Sequence, residues 1–176
     1  MTKTWILRYA MPAALLTLTL STSAICQTVP AVAETVSLSG PRFGATFLSE
    51  GVIRKLKTDR GIGVGQAMTQ FGWQFEKQFY STQSGPTAVT EMVVLFGGLE
   101  QGKVLPSLSW LVGVRTRNGA EFGVGPNVTP VGVALAIAGG MTFRAGALNV
   151  PVNLAVVPSK SGVRVSVLTG FSLRRR

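Results

Sequence analysis

The sequence predicts an all-β protein: an eight-stranded antiparallel up-and-down transmembrane β-barrel, preceded by a cleavable signal peptide. Three observations carry this. From about residue 40 onward the apolar side chains recur with period two, the spacing that separates the faces of a strand. Turn residues punctuate these runs at short intervals, among them Asn118-Gly119 between two alternating segments, a strong short-range hairpin signal. Only 14% of residues are charged while 46% are hydrophobic, against about 25% charged in an ordinary soluble domain, so the chain is short of groups that normally face water.

Residues 1–26 read as the signal peptide. Lys3 and Arg8 form a positive n-region, MPAALLTLTL over 11–20 is a short apolar stretch, and small residues follow in STSAICQ, the pattern of an export segment. Cleavage is expected between residues 24 and 33, where Ala31-Val32-Ala33 has the A-x-A form. An uncleaved anchor would need about 20 apolar residues, more than this stretch supplies. Cys26 is the single cysteine, so no intrachain disulfide can form. Ile25 before it and Ser23 three before it do not fit a lipidation site, which wants a small residue and an aliphatic one at those places. Residues 27–39 are a linker, 40–173 the barrel and 174–176 a basic tail.

Eight strands are expected at about 40–50, 68–81, 87–100, 103–117, 119–127, 131–145, 147–158 and 162–173. Most have the length of a membrane-spanning strand, about 9–11 residues at 45° tilt, or somewhat more. The last is the clearest: Val163, Val165, Val167 and Phe171 share one parity, Arg164, Ser166, Gly170 and Ser172 the other, with Leu168 the exception. In the sixth, Val133, Leu135, Ile137, Met141 and Phe143 alternate with small residues and Arg144. In the second, Phe71, Trp73, Phe75 and Phe79 alternate with Gln74, Glu76 and Gln78. The third, TAVTEMVVLFGGLE, is apolar on both parities and is the ambiguous one. Turns are expected at 84–86, 101–102, 118–119, 126–130, 145–146 and 159–162. The 51–66 connection is long and holds a possible helical turn around Val52, Ile53 and Leu56. Its Gly61, Gly63 and Gly65 lack the strand–loop–long-helix setting of a phosphate loop.

Which face is greasy decides the rest. A soluble barrel buries its bulky apolar parity, whereas a membrane barrel turns it outward and keeps a polar lumen. The bulky parity here is too large for the narrow interior of eight strands, and the Ala/Gly/Ser parity fits it. The polar parity then points Arg42, Glu76, Arg115, Glu121, Arg144 and Arg164 into the lumen as a buried ion-pair cluster that plugs and rigidifies the barrel. Trp73, Phe75, Phe79, Trp110, Phe143 and Phe171 become lipid-facing or girdle aromatics.

The net charge is +10. The cations are scattered or terminal and are not interleaved with aromatics along one element, which points away from nucleic acid. They suit anionic head groups and lipopolysaccharide phosphates instead. With no histidine in the chain, the commonest general base and metal ligand are missing, and His-dependent hydrolytic triads are excluded. No catalytic residue, cofactor or metal is expected.

Strand number, spacing and stretches such as FGWQFEKQF and VRVSVLTGFSL make residues 40–173 resemble the small eight-stranded bacterial outer-membrane β-barrel proteins. The resemblance implies the outer membrane of a Gram-negative-type cell, insertion by the barrel-assembly machinery, a monomer, and a structural, interaction or narrow-passage role without catalysis. Such proteins end on an aromatic residue; here Phe171 is followed by Ser-Leu-Arg-Arg-Arg. The competing expectation is a soluble periplasmic barrel that binds an apolar ligand.

Overall fold

A computed structural model of the chain describes residues 38–81 and 85–173. The signal peptide, its cleavage window, Cys26, the linker up to residue 37 and the basic tail lie outside the described residues.

The elements are β1 (Gly40–Leu48), α1 (Glu50–Arg60), β2 (Ala67–Ser81), β3 (Thr87–Gly97), a 3₁₀ turn at Leu99–Gln101, β4 (Leu105–Arg115), β5 (Ala120–Thr129), β6 (Gly132–Ala145), β7 (Leu148–Ser159) and β8 (Gly162–Gly170). After Phe171, β8 resumes at Ser172–Leu173 with unbroken register: Thr169 lies opposite Val152 and Ser172 opposite Asn149. Each strand pairs antiparallel with the next, and β8 closes on β1 with Thr169 opposite Phe43 and Arg164 opposite Leu48. The sheet is thus an eight-stranded, up-and-down closed barrel without a free edge.

The registers also fix its shape. A ladder followed from Gly40 through Gln74, Val93, Ser109, Asn127 and Ala134, and on along the β6–β7, β7–β8 and β8–β1 registers, returns to the β1 line ten residues further on. With strands spaced about 4.8 Å apart and rising about 3.3 Å per residue, that stagger sets a tilt of about 40° and a narrow lumen, wide enough for side chains or one small ligand.

The strand boundaries follow the periodicity, with three departures. β5 runs through Pro126 to Thr129 where a turn at 126–130 was expected. The β4–β5 ladder skips the positions of Gly125 and Pro126, since Pro has no N–H to give. β3 stops at Gly97, and residues 98–104 form the connection to β4. The expected helical turn after β1 is an 11-residue helix. Its N-cap is Ser49, Glu50 stands in its first turn and Lys57 and Arg60 in its last, each complementing the helix dipole. It ends in a left-handed cap: Gly61 takes φ 65, its N–H bonds Lys57 O, and Ile62 N–H bonds Leu56 O. Val52 and Leu56, one turn apart on α1, are buried with Leu48, Met68 and Leu105 from the strands. Burial of each is worth about 1.5–3 kcal/mol, and it lays α1 across one mouth of the barrel.

The bulky parity faces outward. Leu135, Ile137 and Val152 are exposed and Val165 is half-buried; they do not converge on a centre. Inward positions are small, polar or modest in size. At Gly44 and Gly72 an added Cβ would come within 1.9 Å of the carbonyl oxygens of Val167 and Val94 on the neighbouring strands, so the strands coil more tightly there than any side chain permits.

Gly44→Ala is therefore expected to lower stability by about 1–3 kcal/mol or more. Gly139→Ala, whose Cβ meets only Glu121 O at 3.6 Å, is expected to stay within about 0.5 kcal/mol. Urea midpoints of the chain folded in detergent micelles measure both, and equal midpoints would remove the steric account.

Candidate functional site: the polar lumen

The β4–β5 hairpin turns at Asn118-Gly119, where Gly119 takes φ 85 and donates its N–H to Thr116 O. The turn sets Arg115 directly opposite Glu121. Arg115 Nε donates to Glu121 Oε1 at 2.7 Å, Nη1 donates to Glu76 Oε1 at 2.8 Å, and Nη2 pairs with Glu76 Oε2. Thr142 Oγ1 adds a hydrogen bond to Glu121 Oε1 at 2.8 Å. The Glu76 side chain is 0% exposed and the other two at most 10%. This network fills the lumen toward the end where β1 begins and β4 ends.

Of the six expected cluster residues, the structure thus brings together Glu76, Arg115 and Glu121. Arg42 and Arg164 are buried inside the barrel but elsewhere. Arg42 Nε donates to Gln74 Oε1 at 2.9 Å, and its two other nitrogens bond the carbonyls of Pro41 and Leu38. Arg164 lies toward the α1 end, donating Nη1 to Thr129 Oγ1 at 2.8 Å and Nη2 to Asn127 Oδ1 at 2.9 Å. Asn127 Nδ2 in turn donates to the Ser107 and Ser109 hydroxyls. Arg144 does not join the cluster. It has the inward parity, but it stands one residue from the end of β6 beside the 146–147 turn, and there it is exposed. Parity gives a direction, and a rim position gives water to go with it.

Glu91 was missed by the sequence reading. It is buried on β3, directly opposite Glu76. It sits in the strand that is apolar on both faces, because Val89, Val93 and Leu95 also point inward there. The parity of Glu91 with Val89 and Val93 was the available signal. Counting it, three inward carboxyl groups (Glu76, Glu91, Glu121) share the lumen with three buried guanidiniums (Arg42, Arg115, Arg164).

Between the two polar layers lie the apolar groups Val93, Leu95, Leu168 and Leu111, Ala136, Val157, beside a chamber of about 90 Å³ under α1. Outside the lumen, Glu100 ties the 98–104 connection to β2. Hydrogen bonds from the Thr69 hydroxyl and then its N–H hold its carboxyl down at about 2, so that tie holds above the ordinary carboxylate range and is lost as pH falls toward 2. Among the described residues, no group of three His, Cys, Asp or Glu side chains is placed to hold a metal.

The six expected aromatics Trp73, Phe75, Phe79, Trp110, Phe143 and Phe171 all lie on the outer face, between 46% and 62% exposed. No known family model, curated protein or solved structure matches the chain. Fold and site together define a closed eight-stranded barrel with a polar lumen that holds an Arg115–Glu76–Glu121 ion-pair network.

Removing Arg115 would leave two buried carboxylates unpaired. Arg115→Leu is expected to cost about 3–5 kcal/mol in urea unfolding, and the triple change with Glu76→Gln and Glu121→Gln to recover most of it. A loss below about 1 kcal/mol for Arg115→Leu would show that the network does not hold the barrel together.

Proposed function

We propose that the chain is a membrane-spanning barrel of a bacterial outer membrane, with a structural or interaction role and no open channel. One observation carries the reading. Among the described strand residues, the outward positions hold a single charged side chain, Lys77, a few Thr and small residues, and otherwise a belt of Phe, Trp, Leu, Ile, Val and Met. A soluble monomer rarely exposes a contiguous apolar patch beyond a few hundred Å², whereas a lipid-facing belt has this composition.

Outward polar groups fit the same medium, since several bond back to the protein. Trp110 Nε1 donates to Thr90 Oγ1 at 2.8 Å, and Thr169 Oγ1 to Pro151 O at 3.0 Å. Closure leaves no strand edge to hydrate, as a hydrocarbon environment requires. The start of β1, the end of β8 and the 116–119 and 146–147 turns share one end, the periplasmic one in this reading. At the other end Arg54, Lys55 and Lys57 of α1 would meet anionic head groups such as lipopolysaccharide phosphates. The buried network at one end and α1 across the other argue against a continuous aqueous path, and an eight-stranded lumen is filled by side chains. The rival reading, a soluble periplasmic barrel, would leave the apolar belt in water.

Ile137→Arg, near the middle of the outer belt, discriminates. In lipid it is expected to cost about 2–4 kcal/mol, measured by urea unfolding from liposomes. On a water-facing surface the change would stay within about 0.5 kcal/mol. Unboiled wild-type protein from the membrane fraction is expected to migrate differently from the boiled sample on a gel. Identical migration together with recovery of folded protein from detergent-free buffer would overturn the reading.

A further inference from the structure

The chamber under α1 has two kinds of wall. Val52 and Leu56 of the helix, with Met68 and Leu105, make its α1 end apolar, and Val93, Leu95 and Leu168 continue that surface inward. Arg164 stands in the same wall, in the layer next to α1, since it pairs with Leu48 at the end of β1. Its guanidinium is buried and bonded only to the neutral oxygens of Thr129 and Asn127, and Nε has no partner. No carboxylate lies within ion-pair distance of it among the described residues. Deeper in the same wall Gln74 is 2% exposed; its Oε1 is taken by Arg42, and its Nε2 is unpartnered. A buried cation with no counter-charge costs several kcal/mol, and unmatched buried donors add to that. An engineered cavity of this order, about 150 Å³ and lined only by apolar groups, stays dry. This one combines apolar walls with Arg164, which has no ion-pair partner in the layer next to α1, and with the Glu91 carboxyl at its far end, opposite Glu76.

We propose that the chamber binds a short aliphatic carboxylate: the acid group is taken by Arg164, beside α1, and the chain lies against the apolar walls of the lumen. This goes beyond the membrane reading and does not depend on what surrounds the outer face. Arg164 selects the acid group at the α1 end, with Glu91 at the far end of the same chamber, and the apolar wall between them selects a carboxylate with a tail over a bare inorganic ion. Size sets the limit, since a chamber of about 90 Å³ excludes a full lipid acyl chain. The Arg115 network fills the opposite end, so the ligand enters on the α1 side.

Calorimetric titration of the full chain folded in dodecyl maltoside, with sodium hexanoate, 1-hexanol, inorganic phosphate and palmitate as probes, tests this. Hexanoate is expected to bind saturably, and the other three at least tenfold more weakly. Arg164→Met is expected to weaken hexanoate at least tenfold, with Arg164→Lys retaining part of the affinity. Ala136→Phe, which fills the chamber without touching a charge, is expected to abolish binding; boiled and unboiled migration checks that each variant is folded. The proposal is overturned if wild type shows no saturable hexanoate binding (a chamber holding water only), if hexanol or phosphate matches hexanoate, or if Ala136→Phe folds and still binds. Should Arg164→Met not fold, Arg164→Lys and Ala136→Phe decide. Loss of the membrane reading in the Ile137→Arg comparison would leave this titration standing.

Discussion

The seam between β1 and β8 is the contact on which the rest of the molecule depends. Until Phe43 meets Thr169 and Leu48 meets Arg164, β1 and β8 each present a row of unpaired N–H and C=O groups. Closing the seam satisfies them and also fixes the stagger of the whole sheet. The stagger sets the tilt, and strand number and tilt together set the width of the lumen. A narrow lumen admits Ala, Gly, Ser and a limited number of longer chains, and at Gly44, Gly72 and Gly125 the position of an added Cβ is taken by a carbonyl of the neighbouring strand. The large aliphatic and aromatic side chains are left with the outside.

Once the inside is narrow, the charges placed there must answer one another. Arg115 does so with direct ion pairs to Glu76 and Glu121. Arg42 is held by neutral acceptors, two of them backbone carbonyls, the other the Gln74 side chain. Arg164 is bonded to neutral groups alone and retains an unpartnered Nε beside the chamber. The three guanidiniums therefore describe a gradient from an ion-paired end to an end with unspent interaction capacity under a helical cover. A buried ionic group removed from its partners is far more costly than one never placed there, so the ion-paired end resists both change and opening.

Much of this was legible before any fold was known. The alternation of Val, Leu and Phe with small residues located the eight strands to within a few positions, and Asn118-Gly119 marked a hairpin that the structure contains. Legibility failed where period two gave way. Glu91 was hidden because both faces of its strand are apolar. Pro126 looked like a turn, yet it lies within β5, where the β4–β5 ladder skips its position. The reach of α1 exceeded the single turn expected, since Val52 and Leu56 gain burial only when a barrel mouth is there to receive them.

Outside β3 and the 126–130 stretch, the sequence by itself determined which residues are strands and which side chains share a face, because parity along an extended chain is local. It determined too that the outward parity is apolar nearly throughout. Only the tertiary structure decided which inward groups meet. Glu76 and Arg115 belong to strands separated by β3, and their encounter depends on the registers of two successive ladders. Arg144 shares their parity but reaches the rim, while Arg42 and Arg164 share it and fall at other heights in the lumen. Height is a property of the closed sheet as a whole, set by its stagger, and no single strand carries it.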